Sequence, residues 1–370
     1  MGNSDTGYMN IALALAEKGR GHTSPNPMVG AIIVNNGMIT GRGYHKAPGG
    51  AHAEVNAIAD AAGETAGATM YVTLEPCNHY GRTPPCTHAI IEAGISKVVV
   101  AMADPNPRVA GGGIEFLEKN GITVVSGVCE TAAQKLNAFF IKHSGTGLPY
   151  VILKCAATLD GKIATQTGES KWITGTAARR HVHRLRHSVD GILVGVDTIK
   201  ADDPALTTRL DDMDGKDPVR IILDTRLTIP EHAGVIQGKQ ASGTIIATGM
   251  RKNARRDDEK RRLLTDRGVR ILDVPLKDGM TDPRALMEKL GGMNIASILV
   301  EGGSRVSASM LRAGVVDRIC FFYAPKILAG DGISICRGSG PETMASAIRV
   351  ENMEIKRFDE DILVEGDVVK

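Results

Sequence analysis

Short apolar runs rich in β-branched residues alternate with helix-like segments along almost the whole chain, and this alternation narrows the choice of fold more than any other feature. In the clearest stretch, ATMYVTL (68–74) is followed by CTHAIIEAG (86–94), KVVVAMA (97–103), GGIEFLEKNG (112–121) and ITVVSG (122–127). Strands separated by single helices pair in parallel, with each helix crossing a face of the sheet. Upstream, YMNIALALAEKG (8–19) and AHAEVNAIADAA (51–62) have helical spacing, the second with Val55, Ile58, Ala59 and Ala62 on one side. VGAIIVNNGMITGRGYH (29–45) reads as two strands turning at Asn36 and Gly37. A three-layer α/β domain is expected.

A long helix over roughly 129–143 precedes KHSGTGLPY (142–150), whose glycines, serine and proline mark the linker. The expected domains are therefore 1–145 and 146–370, and a chain of 370 residues has material for both cores. Beyond the linker, strands are expected at 150–158, 190–195, 218–224, 244–249, 269–274 and 296–303, with helices at 177–187, 283–292 and 306–314. The end turns to extended segments at 317–328, 348–358 and 361–369, which suits a parallel sheet finished by antiparallel edge strands.

The formal net charge of +2 gives no footprint for nucleic acid or an anionic membrane. The most basic run, RKNARRDDEKRR (251–262), also holds three acids and reads as a solvated helix face. IALALA (11–16) is too short to span a bilayer, so a cytoplasmic location is expected.

The chemistry concentrates in LEPCNHYGRTPPC (74–86), with Cys77 expected at a strand end and Cys86 at a helix start. His52 and Glu54 open another helix. One imidazole and two thiolates at neighbouring helix N-termini make the open three-ligand set of catalytic zinc, whereas a closed structural site wants a fourth Cys or His. Glu54, two residues from His52, is free to move protons from an activated water to a leaving amine. This combination matches the H-x-E then P-C pattern of zinc nucleobase deaminases, except that eight residues rather than two separate Cys77 from the second cysteine. The longer connection loops out and returns, placing His79, Tyr80 and Arg82 beside the pocket. Structural zinc is the plainer alternative, and His88 a decoy ligand. Cys129, Cys155, Cys320 and Cys336 read as ordinary buried small residues. No G-x-G-x-x-G follows a strand, but Gly302 and Gly303 stand between SILVE and a helix, a candidate diphosphate cradle that also occurs without ligands.

The chain closely resembles the bifunctional deaminase/reductase family of riboflavin biosynthesis. The resemblance runs through HTSPNPMVGAII (22–33), GYHKAPGGAHAE (43–54), YVTLEPCNHYGRTPPC (71–86) and ADPNPRVAGGGIEFLEKNGITV (103–124). It continues through KCAATLDGKIA (154–164), KWITG (171–175), HRLRHSVDGILVGVDTIKADDPALTTR (183–209) and LVEGGSRV (299–306). It implies a cytidine-deaminase-like domain that removes the 2-amino group of 2,5-diamino-6-(5-phosphoribosylamino)pyrimidin-4(3H)-one. A dihydrofolate-reductase-like domain would then use NADPH to reduce the ribosyl group. Zinc and NADPH are the implied cofactors, a homo-oligomer the implied assembly.

By resemblance, His52, Cys77 and Cys86 would be the metal ligands and Glu54 the catalytic acid and base. Asn26, Asp104 and Asn106 are placed to read the pyrimidine, unless they are only turn formers. His45, Lys46, His79 and Arg82 would orient the substrate or its phosphate. Ala156, Trp172, Thr198, Asp202, Thr225, Gly303, Ser304, Arg305 and Val306 match cofactor positions, although Trp172 could be a plain core aromatic. Lys154, Ser170, Arg186, Leu206, Arg209 and Glu301 match substrate positions, the two arginines as phosphate grips and Glu301 as a holder of sugar hydroxyls. Thr158 stands where the family pattern has Ser. The alternative is a single-function deaminase whose second domain is a ligand-binding or regulatory module.

Overall fold

Alternating helices and strands build one large sheet in each of two units, Met1–Gly147 and Leu148–Lys370, with two further two-stranded ribbons in the second. The computed structural model describes residues 4–80, 84–106, 112–250 and 255–370.

The first unit has strands β1 (Gly30–Asn35), β2 (Met38–Tyr44), β3 (Thr69–Val72), β4 (Lys97–Val100) and β5 (Thr123–Ser126) in the order β2-β1-β3-β4-β5. The β1–β2 hairpin turns at Asn36 and Gly37, as the sequence suggests, and β3, β4 and β5 run parallel. Its helices are α1 (Asp5–Ala16), α2 (Ala53–Asp60), α3 (Cys86–Glu92), α4 (Gly113–Lys119), α5 (Glu130–Leu136) and α6 (Ala138–Thr146). Ile32, Ile33, Met70, Ile90, Val98 and Leu117 are fully buried between the layers.

Helix α2 lies against β2 at backbone distance because Gly41 and Gly43 share one face of that strand. A Cβ on Gly41 would sit 2.2 Å from the Ala57 carbonyl oxygen, and one on Gly43 would sit 2.1 Å from that of Ala53. The start of α2, where His52 and Glu54 stand, is thereby referenced directly to the sheet.

One expectation fails at the end of this unit. The single helix over 129–143 is two helices broken at Asn137, which is buried and non-helical (φ −101°, ψ 20°). Its Oδ1 accepts from Met28 N at 2.8 Å and its Nδ2 donates to Met28 O at 3.0 Å, a tertiary demand invisible in local periodicity. The division between the units falls inside the expected linker, after α6 runs to Thr146 and ends on Gly147, whose φ of 72° suits glycine at a helix C-terminus.

The second unit contains β6 (Tyr150–Thr158), β7 (Lys162–Ala164), α7 (Thr176–Ser188), β8 (Gly191–Gly195), α8 (Val196–Asp202), β9 (Val219–Leu223), α9 (Gly238–Ala241) and β10 (Thr244–Gly249). It continues with α10 (Arg255–Asp266), β11 (Arg270–Val274), β12 (Leu276–Lys277), β13 (Met280–Thr281), α11 (Pro283–Gly291), β14 (Ser297–Val300) and α12 (Ser304–Arg312). The last strands are β15 (Arg318–Ala324), β16 (Ile333–Ser334), β17 (Val350–Phe358) and β18 (Asp361–Val368). Nine of them form a sheet in the order β11-β10-β9-β8-β14-β6-β15-β18-β17. Strands β11 through β15 run parallel, and β18 and β17 finish the edge antiparallel, as expected. Leu153, Leu193, Ile221 and Ile298 are fully buried on it.

The four cysteines expected to be buried divide. Cys155 and Cys320 are buried in strands, whereas Cys129 is half-buried before α5 and Cys336 is exposed in the irregular stretch after β16. Among the described residues no helix is long and apolar enough to cross a membrane.

Candidate metal centre and reductase cleft

Three ligand atoms meet in the first unit: one nitrogen of His52 and the Sγ atoms of Cys77 and Cys86 all lie within 4.8 Å of one another. His52 is the residue just before α2, and Cys86 is the first residue of α3, preceded by Pro85. Cys77 sits five residues beyond the end of β3, in the irregular segment rather than at the strand end. His52 Nδ1 is 3.2 Å from Cys86 Sγ and 3.5 Å from Cys77 Sγ, and the Cys86 N–H donates to Cys77 Sγ at 3.4 Å.

The electrostatics of these three groups suit a cation. The Cys86 thiol, with help from His52, holds the Cys77 thiol down at about 4. Cys86 is pushed up in turn, because its proton bridges to Cys77 and it is buried. The Cys77 hydrogen bond raises His52. A divalent ion held by the two sulfurs would displace their protons. The donor set of one imidazole and two thiolates fits zinc with a coordination position left open. His88, the decoy, stacks on Phe116 with centroids 5.5 Å apart and planes 3° apart, away from the ligand set.

Glu54 lies in the first turn of α2, 3 % exposed, and burial pushes its carboxyl up. It lines a cavity of about 230 Å³ together with His52, Cys77, Asn26, His45, His79, Asp104 and Asn106. His45 is buried, which lowers its pKa, and one tautomer suits its partners. Nδ1 must donate to Ala51 O (3.2 Å), leaving Nε2 to accept from Asn26 Nδ2 (3.2 Å). Asp104 Oδ1 accepts from Asn106 N at 2.9 Å, so the pair forms a turn as well as a wall. Burial raises the Asp104 carboxyl. Lys46 reaches over the Tyr44 ring, 5.9 Å from its centroid. Arg82 lies outside the described residues.

Sequence reasoning missed three contributors. Phe140 of α6 lines the same cavity, Asn137 clamps Met28 near Asn26, and Glu75 accepts three backbone N–H groups beside Cys77. None belongs to a ligand-like pattern, so only proximity reveals them.

In the second unit, Glu301 follows β14 and meets Lys154 of β6, the neighbouring parallel strand, with Nζ 3.4 Å from Oε2. Arg186 of α7 grips the same carboxylate through Nε (2.7 Å) and Nη2 (3.0 Å), while its Nη1 donates to Thr207 O at 3.0 Å. The Arg186 fork is thus spent on Glu301 and the backbone, and the expected phosphate grip is not available to it in this arrangement. Burial raises the Glu301 carboxyl, but Lys154 and Arg186 outweigh it and hold it at about 2.

Beside this cluster, Gly303 opens α12, and a Cβ there would meet only Thr198 Oγ1, at 3.8 Å. Gly302 has an internal reason: a Cβ would sit 2.7 Å from Val306. Ser304 Oγ is buried with no hydrogen-bond partner, an unmet polar atom at a helix start. Thr198, Gly303, Ser304 and Val306 are therefore one neighbourhood, with Arg305 exposed next to them.

The other expected positions spread around it. Asp202 ends α8 and pairs with Lys171 at 3.3 Å, next to half-buried Ser170 and Trp172. Trp172 is 66 % exposed with Arg179 over its ring at 4.7 Å, so it is not a core aromatic. Arg209 is exposed, with Nη1 3.1 Å from Thr207 Oγ1. Leu206 is buried in the core with φ 53°, leaving its backbone, not its side chain, for any substrate contact. Ala156 lies in β6, and Thr225 is buried after β9, with Oγ1 3.3 Å from Thr281 Oγ1. Thr158 keeps its hydroxyl busy, donating to Asp160 Oδ1 and accepting from Lys162 N.

Residues 3–102 match the family model for the cytidine and deoxycytidylate deaminase zinc-binding region, and residues 149–364 match that for the RibD C-terminal domain. The chain is 44 % identical over 360 residues to the riboflavin biosynthesis protein RibD of Aquifex aeolicus, covering 97 % of each. This chain belongs to the RibD family.

RibD of Escherichia coli is 41 % identical over 370 residues, covering 97 % of this chain and 98 % of its own. Among solved structures, Acinetobacter baumannii RibD superimposes with a TM-score of 0.88 at 37 % identity, covering 99 % of each chain. A Thermotoga maritima diaminohydroxyphosphoribosylaminopyrimidine deaminase/5-amino-6-(5-phosphoribosylamino)uracil reductase gives 0.83 at 36 % identity over the same share. As a RibD, the chain is a bifunctional deaminase/reductase acting on intermediates of riboflavin biosynthesis, with a cytidine-deaminase-like first domain and a dihydrofolate-reductase-like second.

Proposed function

We propose that the first site hydrolyses the exocyclic 2-amino group of 2,5-diamino-6-(5-phosphoribosylamino)pyrimidin-4(3H)-one, releasing ammonia. The second site would reduce the resulting 5-amino-6-(5-phosphoribosylamino)uracil to its ribitylamino form with NADPH. The names of the Thermotoga maritima relative's two activities support the substrates. The observation that carries the first step is the convergence of His52, Cys77 and Cys86 beside buried Glu54.

When bound, zinc supplies the Lewis acidity that makes a water nucleophilic near neutral pH. Glu54 would carry one proton from that water to the ring nitrogen and a second, from the hydroxyl so added, to the departing amine, a role suited to a carboxyl raised by burial. Asn26, held by His45, and the Asp104–Asn106 turn read the pyrimidine edge, while His79 meets its substituents.

In the second unit, NADPH when bound supplies the hydride. Residues suited to hold it are Thr198, Gly303, Ser304, Arg305 and Val306, at the start of α12, where Ser304 carries a hydroxyl without a partner and a Cβ on Gly303 would meet only Thr198. Ala156, Trp172, Asp202 and Thr225 complete the cofactor surface, and Lys154, Ser170, Leu206, Arg209 and Glu301 the substrate surface, with Arg186 bracing Glu301. Glu301 is held ionised and cannot give the proton that follows hydride. Lys154 stands beside it, with Nζ 3.4 Å from Oε2.

Incubating the protein with the diaminopyrimidine phosphate, with and without NADPH, tests both steps. Ammonia followed by NADPH oxidation is expected; ammonia alone would reduce the second unit to a binding module. Glu54→Gln should retain about one zinc per chain and lose ammonia release by at least about a hundredfold. Full activity in that variant would remove Glu54 from the mechanism.

A further inference from the structure

We propose that Glu75 is the positioning residue of the pyrimidine-reading wall, locking the turn of Asp104 and Asn106 to the segment that carries Cys77. This rests on the reading that Asp104 and Asn106 contact the pyrimidine.

Glu75 is 8 % exposed and borders the deaminase cavity. Its own N–H donates to Met102 O at 3.0 Å, just past β4, so its backbone continues the β3–β4 pairing. Its carboxylate accepts from Asp104 N at 3.1 Å through Oε2 and, through Oε1, from Gly113 N at 2.9 Å and Ile114 N at 3.1 Å. Both ends of the connection from β4 to α4 are thereby fastened to one side chain. The next residue repeats the grip sterically: a Cβ on Gly113 would lie 2.0 Å from Pro76 O. Cys77 follows at once, so ligand loop and substrate wall share an anchor.

The chemistry requires a carboxylate of this length. Two acceptor oxygens satisfy N–H groups on both sides, whereas an amide has one oxygen and turns its NH2 toward either Asp104 N–H or the Gly113 and Ile114 pair. Aspartate is one methylene too short to span them. Strand β4 and helix α4 have their own buried anchors in Val98, Val99, Val100 and Leu117. What Glu75 adds is the placement of Asp104 and Asn106. A wall that holds the pyrimidine equally in ground and transition states supplies uniform binding, so loosening it raises KM and spares kcat.

The test uses full-length, zinc-loaded protein. In Glu75→Gln the deaminase KM is expected to rise about tenfold with kcat within about threefold, while zinc content and reductase kinetics stay unchanged. An Asp104→Asn/Asn106→Ala double variant should raise KM comparably, and adding Glu75→Gln to it should change little, because coupled residues are non-additive. An unchanged KM in Glu75→Gln beside a raised KM in the double variant sinks the proposal and leaves the wall standing. Loss of zinc, or a fall in kcat at constant KM, also overturns it by assigning Glu75 to the metal centre. An unchanged KM in the double variant overturns the reading of the wall itself and this proposal with it. Should Glu75→Gln yield no folded protein, Glu75→Asp takes its place under the same criteria.

Discussion

Burial acts in opposite ways on the two carboxylates that matter most. Glu54 is raised because its surroundings leave desolvation dominant, which suits a group that must hold and release a proton. Glu301 is also well enclosed, yet two cations keep it ionised at about 2 against an ordinary value of 4.5. A lowered carboxylate stabilises the fold above its unfolded value and loses that contribution as pH falls from about 4.5 toward 2. Acid unfolding of Glu301→Gln, followed by circular dichroism, should therefore be flatter than wild type across that window. At neutral pH the same variant should be destabilised by about 3 kcal/mol, because Arg186 and Lys154 stay buried without their counter-charge. An unaltered acid limb would mean that the cluster is not the ionised pair drawn here.

Elements place the metal site by contact rather than by sequence spacing. His52 and Cys86 belong to different helices, and α2 is set by the glycine face of β2. Gly43→Ala would force α2 off the strand, since the new methyl would lie 2.1 Å from the Ala53 carbonyl oxygen. A loss of about 1–3 kcal/mol is expected, with weaker zinc retention on dialysis against a chelator. Unchanged zinc affinity would show that α2 can shift without disturbing His52. The strands, by contrast, were legible in the sequence: TIIATG and YVILKCAAT match β10 and β6 residue for residue, because buried β-branched runs bounded by turn residues leave little choice. The break at Asn137 was not, since AAQKLNAFFIK has unbroken helical character and the side chain's partner is 109 residues away.

For the whole molecule, two units with separate sheets and cores imply separable chemistry. Treating the full chain with a zinc chelator should abolish ammonia release while leaving NADPH oxidation intact when the deaminated substrate is supplied. Loss of both activities would show that the second unit depends on the metal.

Sequence alone determined the strand and helix alternation, the ligand trio and its attendant Glu54, and the strand-Gly-Gly-helix turn, all encoded by residue type at short range. Tertiary structure decided which groups those residues meet: Arg186 on Glu301 rather than open to a phosphate, Leu206 in the core, Trp172 on the surface, and Glu75 under the wall of the pocket. The physical reason is that hydrogen bonds and ion pairs between distant segments depend on packing geometry, and periodicity carries no record of it.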